Sequence, residues 1–208
     1  MEITINTQQL GLLIINASFV IYCIQFVPQI IHNYKNTNAL ANISILTQFG
    51  IFITLLCDII KTIGFAYEWQ YAAVAMVYLI GVCTQQLQIS FYHKKMPEII
   101  NISFIVLFAL AMLAMGSNNT TIYILVGNFG FVINMLYWFP QIYKNYTQKR
   151  ADGFCLIFIL LAITGTILYL ISSSLLDSKI EFKLNAIIML PIISTLLFQK
   201  FIYKNSEN

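Results

Sequence analysis

A helix needs about 20 consecutive apolar residues to cross the hydrocarbon core of a bilayer. This chain has seven such runs, at 8–31, 43–63, 69–92, 99–115, 121–143, 154–175 and 184–203. Only short polar breaks separate them, among them H-N-Y-K-N-T-N-A-L-A-N after the first and N-Y-T-Q-K-R-A-D-G after the fifth. The 208 residues are 59% hydrophobic and 9% charged, against roughly 25% charged in soluble domains. A water-soluble fold of this size cannot cover so much apolar surface, so the expectation is an all-α membrane protein with seven transmembrane helices. No break is long enough for a second, soluble domain.

Other features narrow the function. A net charge of +3, with no lysine- or arginine-rich run, gives no footing for nucleic acid. Cys23, Cys57, Cys83 and Cys155 are scattered within or at the edge of apolar runs, without a C-x-x-C pair; they read as small hydrophobes rather than a disulfide frame or metal site. No H-E-x-x-H, G-x-S-x-G or carboxylate cluster suggests an enzyme, and no cofactor is expected. His32 and His93 fall in connections, where solvation is expected. The N-terminus lacks a basic n-region, so the first apolar run reads as the first span rather than a signal peptide. Lys35, Lys94, Lys95, Lys144, Lys149, Arg150, Lys200 and Lys204 fall on one side of the seven-span topology, and Lys61, Lys179 and Lys183 on the other. The positive-inside bias puts the N-terminus outside and the C-terminus in the cytosol.

The chain also repeats itself. F-V-P-Q-I-I-H-N-Y at 26–34 and W-F-P-Q-I-Y-K-N-Y at 138–146 both end an apolar run. A shift of 112 residues places Asn16 on Asn128, Pro28-Gln29-Ile30 on Pro140-Gln141-Ile142, and Asn33-Tyr34 on Asn145-Tyr146. Thr54 then falls on Thr166, and a shift of 111 pairs Cys83, Thr84, Gln88 and Tyr92 with Ser194, Thr195, Gln199 and Tyr203. Spans 1–3 (8–92) and 5–7 (121–203) are two copies of one triplet, and span 4 (99–115) is a linker. The linker recrosses the membrane, so the copies are parallel repeats.

A seven-span 3+1+3 chain with Pro-Gln in the first helix of each triplet resembles the PQ-loop family of membrane transporters. That group includes the SWEET sugar uniporters, cystinosin and the lysosomal cationic amino-acid exporters, with the KDEL receptor as a structural relative. The resemblance implies transport of a small polar solute by alternating access. Sugar carriers of the family bind through asparagines in the third helix of each triplet, which this chain lacks; that favours an amino acid over a sugar. The aspartate that cystinosin-like members use for proton coupling is replaced here by Ala162. A SWEET-type sugar facilitator and a KDEL-receptor-like cargo receptor remain as alternatives. A bacterial inner membrane or a lysosome-like organelle fits equally, and oligomeric state is open.

Particular residues carry these expectations. Proline has no N–H to donate, so Pro28 and Pro140 free the carbonyls of Ile24 and Leu136. The adjacent Gln29 and Gln141 offer amides as replacement partners. Together the four residues form a candidate hinge or gate; a static packing kink is the alternative. Polar side chains within spans are candidate solute contacts: Asn16, Asn128, Asn134, Thr84, Thr195, Ser194, Gln85 and Gln88, each alternatively helix-to-helix glue. Asp58 is the one carboxylate well inside a span and the candidate proton carrier; it could also bind a cationic substrate, and a structural pair with Lys61, three residues on, is the alternative. Asp152 reads as a helix cap.

Overall fold

The computed structural model describes residues 6–67, 69–94, 103, 106, 110, 120–178 and 180–204. Among these the chain is helical, without strands: α1 (Thr7–Lys35), a 3-10 segment (Thr37–Asn42), α2 (Ile45–Gly64), α3 (Trp69–His93), α4 (Thr120–Leu136), α5 (Phe139–Gln148), α6 (Leu156–Leu175) and α7 (Ile180–Lys204). With α4 and α5 taken as one broken span, six helices are long and apolar enough to cross a membrane. They match the expected spans except the fourth, 99–115, of which only Ser103, Val106 and Leu110 are described, all helical.

Local chemistry starts the helices. Asn6 and Gln9 form a capping box at α1, which satisfies orphan N–H groups of the first turn. Ser44 caps α2 by accepting from Thr47 N–H (3.4 Å), and Cys155 caps α6 by accepting from Phe158 N–H on Sγ (3.3 Å). Asp152 is not the cap. Its carboxylate instead accepts from Asn42 Nδ2 (2.6 Å) and pairs with Arg150 (2.9 Å).

The two triplets interlock. The most extensive helix contacts join α1 to α6 and α2 to α4, each pairing an element of one copy with an element of the other. Within the first triplet α3 packs on both α1 and α2; in the second, α7 packs on α6 and touches α4 and α5. Glycines allow close approach, as small residues do between membrane helices: Gly130 of α4 lies against Cys57 of α2, and Gly165 of α6 against the Tyr22 ring of α1. Leu13, Val20, Ile24, Val27 and Ile31 of α1 stay exposed, which suits a face turned to lipid.

The two prolines differ in effect. Helix α1 runs unbroken through Pro28, whereas the fifth span breaks at Tyr137–Trp138, just before Pro140. Tyr137 N–H still reaches Ile133 O (2.9 Å) and Ile142 N–H reaches Trp138 O (3.0 Å), so the ladder opens only across the turn. The turn carries Trp138 into the core, edge-on to Phe154 with ring centroids 5.3 Å apart.

Candidate functional site

The glutamines of the two Pro-Gln pairs do not bond the carbonyls that the prolines free. Each crosses to the other copy. Gln29 Oε1 accepts from Cys155 N–H (2.8 Å), and its amide donates to Gly153 O (2.9 Å) and Asn33 Oδ1 (2.7 Å). Gln141 Oε1 accepts from Ser44 N–H (2.6 Å), and its amide donates to Asn42 O (2.9 Å) and Asn145 Oδ1 (2.7 Å). A shift of 111 residues carries Asn42 and Ser44 onto Gly153 and Cys155, so the clamps are copies of each other. Each glutamine grips the backbone where the opposite copy's second helix begins, a place rich in unpaired N–H groups.

Both clamps extend into the third helices. Asn33 donates to Gln88 Oε1 (2.9 Å), and Gln88 donates to Ile30 O (3.1 Å). Asn145 donates to Gln199 Oε1 (2.9 Å), and Gln199 donates to Ile142 O (3.0 Å). His32 Nε2 meets Asp152 O (2.9 Å), while Lys144, its counterpart, donates to Ala41 O (2.6 Å). His93, expected to be solvated, meets Thr37 O (3.0 Å). In P-Q-I-x-x-N-Y, then, the glutamine holds the other copy and the asparagine holds its own third helix. Gln29, Gln141, Asn33 and Asn145 are all buried, and each is hydrogen-bonded, as buried polar groups are.

Because the same bonds form twice, α1 and α4–α5 run parallel. Helix α3 ends near the P-Q motifs, where His93 meets Thr37, and α4 begins at the far end, where Tyr123 meets Phe65 with ring centroids 6.1 Å apart. The described ends of α3 and α4 thus lie at opposite ends of the bundle.

Between the copies lies a cavity of about 220 Å³. It extends from Trp138 and Phe158, beside the P-Q end, to Lys61, Gln70 and Glu181 at the far end. At the P-Q end it stops short of the buried glutamines. Ser18 donates to Gly165 O (3.0 Å) and Tyr22 to Thr166 Oγ1 (3.3 Å), joining α1 to α6 across the cavity wall. Asn134, the position equivalent to Tyr22, donates instead to Asn185 of α7. The walls thus differ: a tyrosine on one side and an amide pair on the other.

Asp58 lines this cavity and is exposed within it. Lys61 makes no direct ion pair with it, although the two charges attract at longer range; the ammonium is bound to Glu181 of α7 and lies 5.5 Å from the centroid of the Phe182 ring. Among the described residues Asp58 has no hydrogen bond or ion pair.

Of the residues singled out by sequence, Asp58 and Asn134 line the cavity. Gln29, Gln141 and Gln88 build the clamps, and Gln85 is buried beside them as the acceptor for Gln48 Nε2 (3.0 Å). Asn16 meets Gln70 Nε2 (3.3 Å) outside the lining, and Asn128 and Ser194 are exposed away from it. Thr84 and Thr195 donate to the carbonyls of Ile80 (2.8 Å) and Pro191 (2.9 Å) in their own helices. Residues that sequence reasoning passed over include Trp138, Glu181 and Asn185. Glu181, an acid at the start of an apolar run on the same side as Lys61, was the one with a readable signal.

A family model, the PQ loop repeat, matches residues 10–71 and 122–182. Each match spans the first two helices of one triplet and contains the glutamine, the asparagine and the helix start that form the clamps. No curated protein matches the chain. On these two matches, which together cover more than half its length, the chain belongs to the PQ-loop repeat family.

Proposed function

We propose that this membrane protein transports a small polar solute, amino acids ahead of sugars, by alternating access between the two triplets. The observation that carries the reading is the cavity between the copies, closed at one end by two equivalent glutamine clamps. Among the described residues, four helix-start groups are held only by glutamine side chains from the opposite copy, so separating the copies at that end releases them together. Pro28 and Pro140 lie beside the clamps and are the joints about which the ends part. The solute sits in the cavity among Asp58, Asn134 and Tyr22, and Asp58 is the proton carrier if flux is coupled. In the membrane the P-Q end faces the cytosol, following the positive-inside bias of Lys35, Lys144, Lys149 and Arg150.

A cargo-receptor reading has less support. A receptor that captures a carboxylate needs an unpaired cation, and Lys61, the cation that lines the cavity, is bound to Glu181.

Proteoliposome uptake of labelled amino acids, organic amines and sugars, with and without a pH gradient, tests the proposal. Saturable uptake of at least one solute is expected. Absence of flux across a broad panel contradicts transport, and equal flux with and without the gradient contradicts proton coupling.

A further inference from the structure

We propose that the cavity selects its solute by positive charge: it takes a protonated organic amine, held by its ammonium group, and makes no use of a carboxylate. This rests on the cavity being the solute site, and it narrows the small polar solute of that reading from an amino acid to an amine without the carboxylate.

Three charged side chains line the cavity among the described residues: Asp58, Lys61 and Glu181. Lys61 and Glu181 neutralise each other across the two copies. What remains is the single negative charge of Asp58. A zwitterion brings its own carboxylate into this space and finds no free cation for it. A charge removed from water without a partner is strongly disfavoured, so the carboxylate counts against binding.

Unpaired groups add detail. Thr54 is 4% exposed and lines the cavity, and its buried hydroxyl has no hydrogen-bond partner. It lies four residues before Asp58 and so on the same helix face. Its counterpart, Thr166, is satisfied by Tyr22 and by Ala162 O (2.8 Å). Thr54 lacks such a partner because Asn134 stands where the repeat would place a tyrosine, and Asn134 turns to Asn185. A hydroxyl and a carboxylate one turn apart are two acceptors for one ammonium group. Trp138 is also 4% exposed, and its buried indole N–H has no partner in bonding geometry either, although the Tyr137 hydroxyl lies beside it. It suits an acceptor atom further along the solute. Rings of Tyr22, Tyr78, Tyr137 and Phe158 are among the aromatic side chains of the lining, and aromatic faces attract organic cations.

The test compares amines with the amino acids that carry the same side chain: cadaverine with lysine, agmatine with arginine, tyramine with tyrosine. Binding to the purified full chain in detergent is measured by calorimetry. At least one amine is expected to bind about tenfold or more tighter than its parent amino acid, a difference of about 1.4 kcal/mol. Asp58→Asn should weaken that amine by about 30-fold, the low end for removing one partner of a buried charge pair, while Asp58→Glu largely retains it. Glu181→Gln releases Lys61 and should shift the preference back toward the amino acid. Equal or tighter binding of every parent amino acid, unchanged amine binding in a folded Asp58→Asn, or an unaltered preference in Glu181→Gln overturns the proposal. Amine binding without flux leaves it standing and ends the transport reading; flux of a zwitterion or sugar without amine binding does the reverse.

Discussion

Replacing Gln29 with leucine tests the clamp most sharply. The side chain keeps nearly the same volume and loses all three hydrogen bonds. In the closed state Cys155 N–H, Gly153 O and Asn33 Oδ1 lose a partner. Each buried group left unpaired costs about 1–3 kcal/mol, so the three together cost about 3–9 kcal/mol if nothing replaces the glutamine. Water reaches the same groups once the P-Q end opens, so the cost falls mainly on the closed state. Even a third of it, about 1–3 kcal/mol, shifts an open–closed equilibrium about 5- to 150-fold. Cys155 is a native reporter: it is buried at the clamp and caps α6. With Cys23, Cys57 and Cys83 replaced by alanine, a membrane-impermeant maleimide should label Cys155 at least about fivefold faster in Gln29→Leu than in its parent. Gln141→Leu orphans the equivalent groups and should have a similar effect. An unchanged labelling rate in a folded Gln29→Leu variant would refute the idea that the glutamines hold this end shut.

Three further outcomes are expected. Pro140→Ala restores an N–H where the fifth span is broken and should cut solute turnover more than Pro28→Ala, since α1 is already continuous; equal turnover in the two variants, from uptake rates at saturating solute, contradicts this. Gly130→Ala forces a methyl group against Cys57 and should destabilise the α2–α4 contact by about 1–3 kcal/mol, read as a lower Tm in detergent; an unchanged Tm contradicts it. Asp58→Asn removes the one carboxylate of the cavity without a direct partner among the described residues and should flatten any pH dependence of uptake, and an unaltered profile removes Asp58 as the proton carrier.

Much of this architecture is legible without coordinates, because lipid allows few solutions. Apolar run length sets the spans, and the recurrence of P-Q-I-x-x-N-Y reveals the doubled triplet. The glutamine's partners are harder to foresee. The nearest orphan carbonyl is in its own helix, yet the bonds go to backbone atoms of the other copy. Asn42 and Ser44 correspond to Gly153 and Cys155; the side chains differ and backbone atoms carry the contact, so residue identity gives no trace of it. Asn16 and Asn128 match across the copies and lie off the cavity, since a match records common descent and not the direction a side chain faces. Thr84 and Thr195 look like site residues only until their hydroxyls are seen to bond the preceding turn. The cavity, by contrast, depends on how the copies differ, with tyrosine at position 22 and asparagine at 134. Conversely, Asp58 stands out in either description, because an acid in an apolar run needs a reason to be there.

The central claim is that the triplets part at the P-Q end and close at the far end as solute passes. Electron spin resonance distances test it directly, with labels at the exposed positions of Tyr34 and Tyr146 and a second pair at the far end. Two interconverting distance populations are expected at the P-Q end, with the far-end pair shifting in the opposite sense when solute is added. A single distance at both ends, unmoved by a solute the protein demonstrably transports, contradicts the claim.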